Sequence, residues 1–447
     1  MTAIQRLPRD QQTMESIVGQ MLDEARRAGA SSAEAAASND LGLSVNVRLG
    51  EVETLEHHKD QGVAITVYFG QRKGTASTSD LSHEALREAV HAACRIARYT
   101  AQDDCAGLAD PDLMAGDWLD LDLDHPWDLS VEQAIELAQS CEAAARDHDA
   151  RIINSEGAST NTLRGLAVYG NTHGFLGAYT ATRHSISCSV VAADEKGMQR
   201  DYWYSVSRDA NGLQTPESVG LEAARRAVRR LGGRRLSTRQ CPAVYVPEMA
   251  RSLVGHFVSA VRGGALYRKA SFLVDALGED VFPSFVRIHE QPHLPRALGS
   301  VPFDSEGVAT RPRDVVNGGV LKGYVLDSYS ARKLGMSTTG NAGGVHNLTM
   351  EPGEQDLDGL LRDMGTGLLV TELIGHGINM VTGDYSRGAA GFWVEDGEIR
   401  YPVEEVTVAG NLRNLFKGIR AVGNDVNVDS NIRTGSLLLE QVTVAGE

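Results

Sequence analysis

The chain has 447 residues, 42% hydrophobic and 23% charged, a profile that excludes a disordered or fibrous protein and allows two or three globular domains. Its 43 Lys and Arg against 59 Asp and Glu give a net charge of −16, which opposes sequence-general binding to a phosphate backbone. Five scattered cysteines (Cys94, Cys105, Cys141, Cys188, Cys241) without a CxxC exclude a zinc knuckle or a disulfide framework and read as reduced, mostly buried thiols.

The opening MTAIQRLPRDQQTMES has no apolar leader, and no stretch of 18 apolar residues follows, so a cytoplasmic location away from any membrane is expected. Met14, Ile17, Val18, Met21, Leu22 and Ala25 recur at helical spacing over residues 13–28, with Thr13 as the expected N-cap. The period then changes to two. Leu43, Val45, Val47 and Leu49 alternate with polar residues, as do Val63, Ile65, Val67 and Phe69 with Ala64, Thr66 and Tyr68, which predicts two half-buried strands joined by a hairpin at Gly50-Glu51. A helix is predicted over 82–99, an acidic irregular stretch over 102–128, and a helix to about 147 that starts on a Ser130/Gln133 capping box. Strands are expected over 151–207, then a helix over 217–231 ending in Leu231-Gly232-Gly233.

Arg225, Arg226, Arg229, Arg230, Arg234, Arg235 and Arg239 make one basic cluster in an acidic chain. It reads as a solvated face suited to a helix C-terminus. Beyond it, Asn317-Gly318-Gly319 and Asp396-Gly397 predict hairpins, with short helices near 248–261, 327–334 and 411–417. Neither half has the strand–helix–strand rhythm of a doubly wound sheet. The expected fold is α+β in two antiparallel-sheet-rich domains, 1–235 and 236–447, the second glycine-rich and mostly β.

Most motif matches fail on mechanism. His289-Glu290-Gln291-Pro292-His293 satisfies H-E-x-x-H in letters, but Pro292 and Pro295 oppose the helix that would turn both histidines toward one metal. Asp120, Asp122 and Asp124 open like a calcium loop, yet His125 and Val131 stand where glycine and a bidentate glutamate are required. Glu372 and His376 would share a face only in a helix, and Gly375 and Gly377 favour a loop histidine. No phosphate loop, nucleophile elbow or dinucleotide fingerprint is present.

Three further runs are more informative: Pro302-Phe303-Asp304-Ser305-Glu306-Gly307, Ser328-Tyr329-Ser330-Ala331-Arg332-Lys333-Leu334-Gly335, and Thr382-Gly383-Asp384-Tyr385-Ser386-Arg387-Gly388-Ala389-Ala390-Gly391-Phe392-Trp393. With Ala409-Gly410-Asn411-Leu412 and Val422-Gly423-Asn424-Asp425 they closely resemble the TldD/TldE (PmbA) family, on its TldE side. The resemblance implies a cytosolic two-subunit zinc peptidase in which a TldD-like partner carries the metal on an H-E-x-x-x-H helix with a later cysteine. It also implies work on small or unfolded peptides, including maturation of microcin-type peptides and antitoxin turnover. The counterpart of the metal helix here holds Gly255 and Ala260 at the histidine positions, His256 at the glutamate position and, later, Thr434 at the cysteine position. Neither glycine nor alanine offers a lone pair to zinc, so no metal and no catalytic residue are expected in this chain.

The resemblance therefore implies a subunit that is inactive alone and supplies cleft wall and partner surface. Asp384, Tyr385, Ser386 and Arg387 are the expected substrate-binding residues, with extended peptides pairing along glycine-rich hairpins. A homodimer of the isolated chain stays open. So do two rival readings: a stand-alone metallopeptidase with an unrecognised site, and a non-catalytic regulator linked to DNA gyrase or a toxin–antitoxin pair.

Overall fold

The computed structural model describes residue 7 and residues 9–446; residues 1–6, Pro8 and Glu447, on which parts of the leader and domain readings fall, lie outside the described residues. The first lobe is one six-stranded antiparallel sheet built from β1 (Ser32–Arg48), β2 (Glu51–Phe69), β3 (Arg72–Thr78), β4 (Ile152–Asn171), β5 (Leu176–Asp194) and β6 (Gly197–Ser207), in the order β3-β2-β1-β4-β5-β6. Alternation decides what each face does. Ala33, Ala35, Ala37, Val63, Ile65 and Val67 pack against α1 (Gln11–Arg27) and α2 (His83–Tyr99). Ala158, Ile186, Cys188 and Val190 meet α3 (Val131–Arg146) and α4 (Pro216–Arg229). Each fully buried Val, Ile or Leu contributes roughly 1.5–3 kcal/mol. Small residues let the layers close: a Cβ on Gly74 would lie 2.1 Å from the Ala93 carbonyl of α2.

Local signals are realised with small shifts. The Ser130/Gln133 capping box is present and Ser82 caps α2. Helix α1 starts earlier than its apolar pattern because Asp10, not Thr13, is the cap and accepts the Thr13 N–H at 2.8 Å. The first hairpin turns at Leu49-Gly50, one residue before the expected pair, with both φ positive (54° and 84°), as a type I′ turn demands. The buried Glu142 carboxylate of α3 holds that turn, accepting the Leu49 and Gly50 N–H groups at 2.8 and 2.7 Å.

The second lobe contains β7 (Arg239–Tyr245), α5 (Pro247–Ala260), α6 (Gly263–Tyr267), β8 (Ile288–Glu290), β9 (Arg313–Asn317), β10 (Val320–Leu321), α7 (Ser328–Lys333), β11 (Leu348–Met350) and α8 (Leu357–Met364). It continues through β12 (Gly367–Ile374), β13 (Asp384–Glu395), β14 (Glu398–Asn411), α9 (Leu412–Lys417), β15 (Ile419–Val422), β16 (Ile432–Arg433) and β17 (Leu437–Ala445). Strands run β14-β13-β12-β7-β17-β15, and β14 also pairs with β17, so five strands close on themselves. A smaller sheet runs β10-β9-β8-β11-β16. The expected hairpins at 317–319 and 396–397 are present, their turn residues Gly318, Gly319, Asp396 and Gly397 all at positive φ. The architecture is α+β.

The basic cluster is mostly a solvated face, with Arg225, Arg229, Arg234, Arg235 and Arg239 exposed, but two of its members are not. Arg226 and Arg230 are buried, both paired with Asp201 of β6 at 3.2 and 3.4 Å. Arg226 also faces Glu248 of α5 at 3.7 Å, and Arg230 bonds Glu372 of β12. Arg229, Arg234 and Arg239 lie over Phe392, Tyr401 and Trp393 at 5.1, 4.6 and 5.0 Å, and Arg235 pairs with Glu405. The physical reason for the two exceptions is position: α4 ends against the second lobe, so Arg226 and Arg230 are buried between carboxylates of both lobes. Arg225 is exposed.

Candidate functional site: an inter-lobe cleft

The open face of the first sheet and the loops of the second lobe enclose a cleft of about 1500 Å³. Its floor is a row of small side chains: Ala36 and Ser38 of β1 lie opposite Ala64 and Gly62 of β2, and Ala64 opposite Ser77 of β3. Period two explains this. The residues between them face the helices, leaving Ala36 and Ser38 free to be small. Tyr179, Arg183 and Tyr204 of β5 and β6 form one side, and Arg251 of α5 with Gly343, Gly344 and Asn431 closes over it. Edge strand β3 pairs only with β2 among the described strands, and its Ser77 and Thr78 reach the cleft.

Two of the family-resembling runs fasten loops of the second lobe, the first of them, through Phe303, Asp304 and Ser305, at the cleft itself. Asp304 accepts the N–H groups of Ala342, Glu306 and Val308 at 2.9, 2.9 and 3.0 Å, fastening its loop to the glycines at 343–344. Glu306 accepts the Ser328 N–H at 3.0 Å. Tyr329 and Lys333 both bond Asp103, at 2.7 and 2.8 Å, while Arg332 donates to the carbonyls of Cys105 and Gly107. These residues clamp the irregular 102–110 stretch to the second lobe.

Burial pushes Asp304 up to about 6 and Glu306 up to about 7. The folded chain therefore binds more protons than the unfolded chain between roughly pH 4.5 and 7, and stability falls as pH rises through that window. Glu306→Gln keeps an acceptor for Ser328 but cannot ionise. Relative to wild type it is expected to gain about 2–3 kcal/mol between pH 5 and pH 8, seen as a widening gap in urea midpoints; a constant gap would contradict the assignment.

The residues expected to bind substrate are not brought into this cleft. Asp384 and Ser386 are exposed at the start of β13, Tyr385 is buried, and Arg387 is half-buried with Nη2 donating to the Leu373 carbonyl at 3.3 Å. Residues 384–387 pair with 408–411 of β14, and the Gly377–Asp384 side is bonded too. That hairpin offers no free edge to a peptide, because its backbone groups already have partners. Sequence reasoning missed Arg183, Arg251, Tyr179 and Tyr204. The alternation along β5 and β6 was the available signal for the strands, but not for which face would be covered.

The H-E-x-x-H letters are dispersed. Ile288–Glu290 is strand; Glu290 is buried and bonded by Arg313 and Asn341 at 2.6 and 2.9 Å, and His293 bonds Thr310 at 3.0 Å. His289→Ala with His293→Ala is expected to change peptidase activity of an assembled complex by less than about twofold; a tenfold loss with folding intact would restore the motif. Of the Asp120/Asp122/Asp124 run, Asp122 pairs with Arg296 at 2.5 Å and Asp124 with Arg164 at 2.6 Å. Glu372 lies in β12 on Arg230, and His376 is in an exposed loop.

At the metal-helix counterpart, α5 does approach β16, with Gly255 opening toward Ile432. The donors are wrong for zinc: Gly255 and Ala260 have none, and the Thr434 hydroxyl bonds the Gly435 carbonyl at 3.0 Å. Among the described residues no three His, Cys, Asp or Glu side chains converge as a metal site would require.

Family models cover the chain in three parts: PmbA/TldA metallopeptidase domain 1 over residues 33–97, the central domain over 124–231 and the C-terminal domain over 238–446. A metalloprotease PmbA homolog of Haemophilus influenzae is 50% identical over 441 residues, 98% of each chain. The chain belongs to the PmbA/TldE family. Among solved structures, a Bacteroides thetaiotaomicron protein described as a modulator of DNA gyrase superposes with a TM-score of 0.92 at 31% identity, over 97% of this chain and 99% of that one. TldE of Thermococcus kodakarensis shares the fold, with a TM-score of 0.85 at 20% identity over 96% and 100% of the two chains. The family name implies a metal, and the residues that this member presents on α5 do not fit one. No helix among the described residues is long and apolar enough to cross a membrane.

Proposed function

We propose that this chain is the metal-free subunit of a cytosolic two-subunit metallopeptidase acting on small or unfolded peptides, including peptide maturation and antitoxin turnover. It supplies one wall of the peptide cleft and the surface for a zinc-bearing TldD-like partner. The supporting observation is the combination on one metallopeptidase-family chain of a large inter-lobe cleft and a helix, α5, with Gly255, His256 and Ala260 in place of a ligand set. An extended peptide fits the small-residue floor, where the outer edge of β3 offers backbone groups to pair with and pays little regard to side-chain identity. Arg387 lies outside this cleft, half-buried on the Leu373 carbonyl, and would contribute to substrate separately, through its charge.

In that reading the partner's zinc supplies the activated water, and this chain binds, orients and encloses. Purified alone, the chain is expected to hold well under about 0.1 zinc per molecule and to lack peptidase activity. Elemental analysis giving about one zinc per chain, retained through chelation and restoring hydrolysis, would replace this reading with a stand-alone enzyme.

A further inference from the structure

The inter-lobe cleft has two fixed chemical points besides its small-residue floor. One is an aromatic wall. Phe303 of the second lobe is 4% exposed and stands edge-on to Tyr179 of β5 at 5.6 Å and to Phe175 and Trp118 at 5.2 Å each. Rings locked edge to face by neighbours from both lobes present a preformed apolar surface, and Phe303, Tyr169 and Tyr179 all line the cleft. The other point is a bare cation. Arg183, further along β5, also lines the cleft; it is exposed, and its guanidinium makes no hydrogen bond or ion pair among the described residues. Of the two acids that line the cleft, Asp304 is held by three backbone N–H groups, and neither pairs with Arg183. Next to it Arg208 is buried and donates to the carbonyls of Thr182, Ala297 and Leu298 at 3.2, 3.0 and 2.9 Å, with no carboxylate among its partners. This end of the cleft is therefore positive.

The spacing of the two points is set by the strand that carries them. Side chains alternate along a strand, so Tyr179, Ala181 and Arg183 share the cleft face, and the first and last stand roughly 13 Å apart. The floor between them is low: Ala181 lies opposite Gly165 of β4, and Tyr179 opposite Ala167. A Cβ on Gly165 would lie 2.3 Å from Oδ1 of Asp40, so the Asp40 carboxylate leans over that middle position and makes it negative. An extended peptide lying along β5 has the same rise and the same alternation. Three of its side chains, at every second residue, would meet the aromatic wall, the Asp40 position and Arg183 in turn. A guanidinium in that place takes a carboxylate, which it can grip by two parallel hydrogen bonds.

We propose that the cleft selects peptides in which an aromatic or large apolar side chain and a carboxylate stand four residues apart, the first against Tyr179 and Phe303 and the second on Arg183. This rests on the reading of the cleft as a peptide site and deepens it: pairing at the β3 edge reads only backbone, whereas these two points read side chains. Two sources offer the carboxylate, an Asp or Glu side chain and the C-terminus of the peptide itself.

The test measures binding of short Gly/Ser peptides, labelled with an uncharged dye, to the full chain by fluorescence anisotropy. The peptides carry Phe and Glu four residues apart, in both orders. In one order, which fixes the direction of the bound chain, Glu→Gln is expected to weaken binding about fivefold, the size of an accessible ion pair, and Phe→Ala about tenfold. Moving the Glu to two residues from the Phe brings it to Asp40 and is expected to lose the Glu effect. Arg183→Glu should reverse the preference, so that a Lys peptide binds tighter than the Glu peptide while the Phe effect stays; Tyr179→Ala should do the opposite, removing the Phe effect and keeping the Glu one. Peptides ending four residues after the Phe, as free acid and as amide, separate the sources: whichever gap, Glu against Gln or acid against amide, is lost in Arg183→Glu identifies the carboxylate. Equal binding of all these peptides, or gaps that survive Arg183→Glu, overturns the selectivity and leaves a cleft that holds peptides without regard to sequence. No binding of any peptide at about 1 mM, to the chain alone or mixed with a TldD-like subunit, overturns the peptide reading as well.

Discussion

Mixing this chain with a zinc-bearing TldD-like subunit is expected to raise peptidase activity at least about 100-fold above either chain alone, because a metal-bound water without a formed cleft lacks positioning worth that much or more. The argument is one of division. The metal subunit would bring the activated water; this chain brings a cleft of about 1500 Å³, whose floor of Ala36, Ser38, Gly62 and Ala64 admits an extended chain. Arg387→Ala should lower kcat/KM of the mixture by about 10- to 100-fold, the range for loss of a charged contact, with assembly by gel filtration unchanged. Loss of assembly would make Arg387 an interface residue. Unchanged turnover would remove it from substrate handling, and a mixture no more active than its parts would overturn the division itself.

What the sequence discloses about this molecule is what short-range physics controls. The capping box at Ser130, the glycine turns at 318–319 and 397, and the period-two runs in β2 are decided within a few residues, and they are where they are expected. The start of β1 was hidden, because Ala33, Ala35, Ala36 and Ala37 have helix propensity and become strand only by pairing with β2 and β4. Long-range facts were hidden for the same reason. Nothing local tells that β14 returns to β17, or that α4 ends against β12, and so nothing local tells that Arg226 and Arg230 are buried. The candidate site divides likewise. The unsuitability of Gly255, Ala260 and Thr434 for zinc is legible from side-chain chemistry, whereas the cleft belongs to two lobes at once. The 384–387 run is conspicuous in sequence, yet only Tyr385 is buried and Arg387 half-buried, while Asp384 and Ser386 are exposed.

The same inter-lobe contact carries the largest expected stability change. Asp201→Ala is expected to cost about 3–5 kcal/mol, the range for breaking a buried ion pair and leaving its partner uncompensated. Asp201 is 5% exposed and serves two buried arginines at once, with Arg226 at 3.2 Å and Arg230 at 3.4 Å, besides accepting the Tyr202 N–H at 2.8 Å. Once it is gone, Arg226 keeps Glu248 at 3.7 Å and the ring of Trp203 at 4.9 Å, and Arg230 keeps Glu372. The two carboxylates, Glu248 and Glu372, lie in the second lobe, so the strain of two cations crowded behind α4 falls on the joint between lobes. Asp201→Asn retains an acceptor for Tyr202 and should still lose more than half of the effect, since the charge rather than the hydrogen bond answers the arginines. Salt separates this from a surface effect. Buried pairs are poorly screened, so the drop in urea midpoint should be the same at low and high NaCl, whereas Arg235→Ala, which breaks the exposed pair with Glu405, should cost under about 1 kcal/mol and less in salt. Combining Asp201→Ala with Arg226→Met should recover part of the loss, because the second change removes one of the cations from which the first took a carboxylate. Strict additivity of the two would show that Arg226 does not depend on Asp201 and would refute the network.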